Sequence, residues 1–207
     1  MKKLVAAVLL LGFGTANAAL VSYNGYTLDT DTNVVTGGGL EWMQWDETLG
    51  QSVNQALANH GGSAWRIATN TEMAALLNAF SFGITFDGIE STSQGTSAEE
   101  GIKATNFIEL FGQTQLGASG PRAQAFYGSD LNNNGIVNHL YVQHFASSDG
   151  FQVFDYGDTY PHITFTPDKV QFNAGVALVR VVGTPIPAAV WLFGSALGLL
   201  GWIRRRA

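Results

Sequence analysis

Asp130-Leu131-Asn132-Asn133-Asn134-Gly135 sets oxygen-bearing side chains at alternate positions and ends on a glycine, the opening half of a loop that wraps a calcium ion. The bidentate glutamate of such a loop is replaced at its twelfth position by Tyr141. Asp130 would then supply the one carboxylate, with Asn132 and Asn134 as neutral ligands, and the competing reading is an ordinary polar turn. No other cofactor is indicated. His60, His139, His144 and His162 have no metal-ligand spacing, and His139 and His144, five apart on one predicted strand, belong to opposite faces. No serine sits in a G-x-S-x-G elbow. Asp46 with Glu47, and Glu99 with Glu100, are adjacent acids that read as solvated surface, because a glycosidase dyad is held apart across a cleft. The chain has no cysteine, which excludes thiol catalysis, cysteine metal sites and disulfides.

The aromatic residues divide in two. Trp42, Trp45 and Trp65 could stack on sugar rings but sit where core aromatics are expected. Tyr127, Tyr141, Phe145, Tyr156 and Tyr160 fall in a loop-rich half and are the candidates for carbohydrate contact. Arg66, the only basic residue between Lys3 and Lys103, reads as a structural partner for a carboxylate or for loop carbonyls.

These residues must be positioned by a few short elements. Thr69 with Glu72 forms a capping box, after which Met73, Leu76, Leu77 and Phe80 make one apolar helix face. Ser52 with Gln55 repeats the signal, with Val53, Ala56, Leu57 and His60 on one face and Gly61-Gly62 as the stop. Asn24-Gly25 is a turn between two strand pieces. Residues 29–39 read as loop, 40–45 as an aromatic strand, 85–101 as loop and 105–111 as a helical turn. Strands are expected at 124–127, 140–145, 151–156 and 175–182. The order points to an α+β domain.

Both ends of the chain differ from this middle. Residues 1–18 carry Lys2 and Lys3, an apolar run, and Ala16 and Ala18 where a signal peptidase reads, so they are expected to be a secretory signal peptide rather than an uncleaved anchor. Residues 186–203 are eighteen uncharged positions followed by Arg204, Arg205 and Arg206. This suits a transmembrane helix whose basic end stays in the cytoplasm, in preference to a buried core helix. The exported domain is then residues 19–183. It keeps all 16 acidic residues and loses five of the 10 basic ones, leaving a charge near −11, which disfavours nucleic acid and acidic polymers as partners.

Two family resemblances follow from these motifs. Thr184-Pro185-Ile186-Pro187-Ala188-Ala189-Val190-Trp191-Leu192-Phe193-Gly194-Ser195-Ala196-Leu197, with the terminal arginines, resembles the PEP-CTERM sorting signals of the VPLPA type. That resemblance implies cleavage near the prolines by a sorting protease of the exosortase type. It also implies transient inner-membrane anchoring and delivery to the surface or extracellular matrix of a Gram-negative bacterium. Gly39-Leu40-Glu41-Trp42, then Gly61-Gly62-Ser63-Ala64-Trp65-Arg66-Ile67-Ala68-Thr69-Asn70-Thr71-Glu72-Met73, and finally Val176-Ala177-Leu178-Val179-Arg180, are similar to the Lcl C-terminal-like domain. Ala68 stands where that family has proline. The implied fold is C-type-lectin-like, with two short helices and an antiparallel sheet, plus the C-terminal transmembrane helix. The implied role is a non-enzymatic binding or structural module of the envelope or exopolysaccharide matrix. The alternative is a secreted hydrolase using carboxylates, which a raised acid in a cleft would favour.

Overall fold

The computed structural model describes residues 20–88, 94–98, 101–128, 135–147, 150–156 and 165–183. Asn24 and Gly25 take left-handed φ angles of 50° and 79°, the backbone that a two-residue hairpin turn requires. They join β1 (Leu20–Tyr23) to β2 (Tyr26–Asp29). β3 (Val34–Gly37) and β4 (Leu40–Met43) extend the hairpin. β3 lies inside the stretch expected to be loop: Val35 is fully buried, yet the surrounding Thr, Asp, Asn and Gly hide its alternation. β12 (Leu178–Val181) and β5 (Arg66–Ile67) complete a first antiparallel sheet in the order β1-β2-β3-β4-β12-β5.

Both expected capping boxes are present. Ser52 and Gln55 start α1 (Val53–His60), and Thr69 and Glu72 start α2 (Asn70–Phe80). Met73, Leu76, Leu77 and Phe80 are all fully buried, as their spacing requires. Gly61 closes α1 in right-handed geometry and runs into a single 3-10 turn, and the left-handed residue is Ala64, with φ 64°. α3 (Ile102–Phe111) is a complete ten-residue helix where only a turn was expected.

A second sheet has the order β11-β8-β9-β10-β6, formed by β11 (Gly175–Val176), β8 (Gly120–Tyr127), β9 (Asn138–Phe145), β10 (Gly150–Tyr156) and β6 (Gln94–Ala98), with β7 (Gln115–Gly117) also beside β8. β11 runs parallel to β8 and the remaining pairs are antiparallel. There are thus three α-helices and two sheets among the described residues, in place of the two helices and one sheet expected.

The aromatic core lies where α3 meets strands of both sheets. Phe107 packs on Trp45 at 5.3 Å and on Phe80 at 4.9 Å between ring centroids. Phe111 meets Trp42 edge-on at 5.9 Å. Trp42, Trp45 and Trp65 are all buried, so the expectation of core tryptophans holds. A smaller core gathers Val53 and Ala56 of α1 with Trp65, Phe126 and Phe165.

The fold is α+β, and the expected transmembrane helix is corrected. Among the described residues no helix is long and apolar enough to cross a membrane. The longest, α2, has 11 residues, about 16 Å at ~1.5 Å per residue, against a hydrocarbon core of about 30 Å. Residues 184–207, which carry the sorting motif, the span and the arginines, lie outside the described residues, as do residues 1–19. The inner-membrane anchoring and the sorted surface location expected from that helix lose their structural support with it.

Candidate functional site

Strand alternation sends opposite faces of the second sheet to different environments. One face carries Ala123, Ala125, Leu140, Val142, Phe151 and Val153 into the aromatic core. On the other face, β8, β9 and β10 align in register as Arg122, Gln143 and Gln152, then Gln124, Tyr141 and Phe154, then Phe126 and His139. The last row is sealed, with the His139 ring 4.8 Å from Phe165 and 5.5 Å from Phe126. Burial holds the His139 pKa down at about 3, so the imidazole is neutral.

The other two rows are polar and tied together. The Arg122 guanidinium lies 4.7 Å over the Tyr141 ring and donates from Nε to Gln143 Oε1 at 2.7 Å. Tyr141 donates its hydroxyl to Gln152 Oε1 at 3.1 Å and packs on Phe154 at 5.2 Å. Gln124 Nε2 donates to Gln115 Oε1 at 2.5 Å, and Asn173 Nδ2 donates to the same oxygen at 3.0 Å. Gln124, Tyr141 and Gln143 are buried, while Arg122, Gln152 and Phe154 form a half-buried rim. Phe172, which precedes Asn173 in the chain, is 91% exposed, and Leu116, which follows Gln115, is 74% exposed. An aromatic ring left in water one residue from Asn173 offers a stacking surface, and the fixed amides and guanidinium of the sheet face offer donors and acceptors for hydroxyl groups.

A second feature is a surface cavity of about 380 Å³ at the C-terminal end of α3, lined by Gln44, Asp46, Glu109 and Pro121 among others. Gln44 Nε2 donates to the carbonyls of Glu109 and Leu110 at 3.2 and 3.0 Å, which closes the end of α3. The Gly112 backbone approaches the Asp46 carboxyl so closely that any side chain there would overlap it. Partial burial raises the Asp46 pKa, aided by the neighbouring Glu47 charge and opposed by backbone N–H groups.

The third feature is internal. Asp155 of β10 is only 8% exposed and accepts a hydrogen bond from the Tyr127 hydroxyl of β8. Burial, with a smaller contribution from the Asp87 charge, pushes its pKa up to about 6 against the Tyr127 hydrogen bond.

Of the residues singled out from sequence, Tyr141 joins the polar face, and Tyr127 points to the core side with Asp155. Phe145 is half-buried at the end of β9. Asp130, Asn132, Asn134, Tyr160 and His162 lie outside the described residues, as do Ala16, Ala18, the prolines Pro185 and Pro187, and Arg204 to Arg206. Among the described residues no group of three or more His, Cys, Asp or Glu side chains could hold a metal. Arg66 pairs with Glu72 at 2.8 and 2.5 Å and also donates to the Ile67 carbonyl, which is the structural partnership expected of it. Arg122, Gln124, Gln143, Gln152 and Gln115 were not singled out. Their signal was polar residues at i and i+2 in three successive strands, a pattern that gains meaning only once the register is known.

No family model, no curated protein and no solved structure matches this chain. The two resemblances drawn from its motifs therefore stand on those motifs alone.

Proposed function

We propose that this chain is a non-enzymatic binding module whose ligand is a polysaccharide, engaged by the outer face of the second sheet. The observation that carries this reading is the exposed Phe172, one residue from the amide relay Asn173–Gln115–Gln124, together with the Arg122, Gln152 and Phe154 rim on the same sheet face as Gln124. The net charge of −6 favours a neutral or cationic polymer over an acidic one. The test is binding of the purified chain to a panel of neutral, amino and acidic polysaccharides, with Phe172→Ala and Arg122→Ala beside the wild type. Retention on neutral or amino polymers, lost in both variants, supports the reading. Binding that survives both variants, or no binding to any polymer, overturns it.

One observation favours a second reading, that of a hydrolase using carboxylates. Asp46, an acid with a raised pKa, shares a cavity with Glu109. Release of reducing ends from a polymer, abolished by Asp46→Asn or Glu109→Gln, would establish this reading in place of the first.

A further inference from the structure

Thr105, Ile108, Glu109 and Gly112 follow one another along one side of α3 and its end, spaced i, i+3, i+4 and i+7, and all four line the cavity there. The other walls are Gln44 and Asp46, at the start of the 3-10 turn Trp45–Thr48, with Gln113 and Pro121. Gly112, at φ 90°, lets the end of the helix come against the Asp46 carboxyl, where a Cβ would overlap it. The cavity is therefore framed by two elements held tightly together.

Most of the hydrogen-bond donors in these walls are already engaged. Gln44 is only 9% exposed, and its Nε2 is held by the Glu109 and Leu110 carbonyls, which leaves its Oε1 with no donor among the described residues. Thr105 donates its hydroxyl to the Gly101 carbonyl at 3.2 Å. The Asp46 carboxyl accepts from the backbone N–H groups of the 3-10 turn, and among the described residues no side chain pairs with it or with Glu109. α3 has no basic residue in its last turn, so the partial negative charge of its C-terminus is not offset there. No lysine or arginine lines the cavity, and only the exposed Gln113 still brings N–H groups. Two carboxylates, an amide oxygen and a hydroxyl oxygen remain, all of them acceptors, which suits a cation that carries its own N–H donors.

Size and wall chemistry narrow the occupant further. A cavity of about 380 Å³ is far larger than a bare ion, and Ile108 and Pro121 give it an apolar part that a divalent cation, which takes oxygen ligands on all sides, would not use. An organic cation with a carbon body uses both parts.

We propose that this cavity binds a small primary amine, its ammonium held by the Asp46 and Glu109 carboxylates and Gln44 Oε1, its carbon body against Ile108 and Pro121. No residue assigned to the outer face of the second sheet lines the cavity, so the site stands or fails apart from polysaccharide binding on that face. Both carboxylates act here as bound anions, and neither transfers a proton.

Such an amine has two sources, an amino sugar or an aliphatic diamine, and one titration separates them. The full chain is titrated by calorimetry at pH 7 and physiological ionic strength with glucosamine, putrescine, N-acetylglucosamine and calcium chloride. Saturable binding of an amine is expected, with none of N-acetylglucosamine, whose nitrogen is an uncharged amide. The amine that binds names the source, and binding of both supports the class. Asp46→Asn and Glu109→Gln are each expected to weaken it roughly tenfold or more, the loss of one charge-assisted hydrogen bond. Glu109→Lys, at an exposed position, supplies the protein's own ammonium and is expected to abolish binding, which keeps the test decisive if Asp46→Asn does not fold. Failure of both amines to bind, equal binding of N-acetylglucosamine, binding of calcium in their place, or amine binding that survives these substitutions overturns the proposal.

Discussion

The two sheets treat their polar residues in opposite ways. In the first, each charged group near the core edge has a partner of opposite sign: Arg66 with Glu72, and Arg180 of β12 with Glu41 of β4 while its guanidinium lies 4.5 Å over Trp65. Glu72 also completes the cap of α2, and the Arg66 guanidinium holds its pKa down at about 2. In the second sheet an acid is buried with a tyrosine for company, and glutamines are tied to an arginine, a tyrosine, an asparagine and one another. The first arrangement gives stability that is insensitive to ligands and to mild changes of pH. The second leaves groups whose state a proton or a donor-rich ligand can change, and that is why the functional reading rests there.

The largest expected effect tests whether the shared aromatic core belongs to both sheets. Trp45→Ala, at a fully buried position against Phe107 and Phe111, is expected to cost about 3–5 kcal/mol. Urea unfolding followed by fluorescence and by circular dichroism should then show one transition shifted for both probes. Separate transitions would mean that the sheets unfold independently.

The next two substitutions compare the carboxylates directly. Asp155→Asn removes a charge that burial disfavours, so it is expected to stabilise the protein at pH 7 by on the order of 1–3 kcal/mol, with the gain gone by pH 4. Glu72→Gln works the other way. Its folded value lies below the free one, so its contribution is present above about 4.5 and is lost as pH falls through about 2. The ion pair is partly exposed, at 44% and 22% for the two side chains, and the expected loss at pH 7 is about 0.5–1 kcal/mol. Thermal melts across pH 2–8 on both variants check the two signs. Equal pH slopes in the two variants would erase the distinction between the sheets.

Much of the first sheet was legible in the sequence because its signals are local. A capping box spans four residues, a hairpin turn two, and the Trp65 to Met73 stretch states a strand end and a helix start together. Arg66 was readable for the same reason, since its partner lies six positions away. The second sheet depends on pairings across long separations, such as Arg122 with Gln143 and Gln115 with Asn173. Position 155 did carry a signal, an acid in phase with Phe151 and Val153, but its meaning requires Tyr127 and Asp87 from two other elements. β3 was missed because one buried valine among turn-forming residues does not make a visible period. The terminal span expected at 186–203 is read from its uncharged length and the arginines after it and lies outside the described residues, among which no helix is long and apolar enough to cross a membrane.

The smallest effect on stability is expected at Phe172, where a 91% exposed ring replaced by alanine should change unfolding by no more than about 0.5 kcal/mol. That near-silence makes Phe172→Ala the most direct probe of the central claim, that the outer side of the second sheet is where a polysaccharide binds. The measurement is a side-by-side titration of wild type and Phe172→Ala with the polymer that retains the wild type best. The account predicts at least a tenfold weaker association for the variant, about 1.4 kcal/mol, at unchanged melting temperature. Equal affinities for the two proteins would contradict it and move the search to the cavity between Asp46 and Glu109.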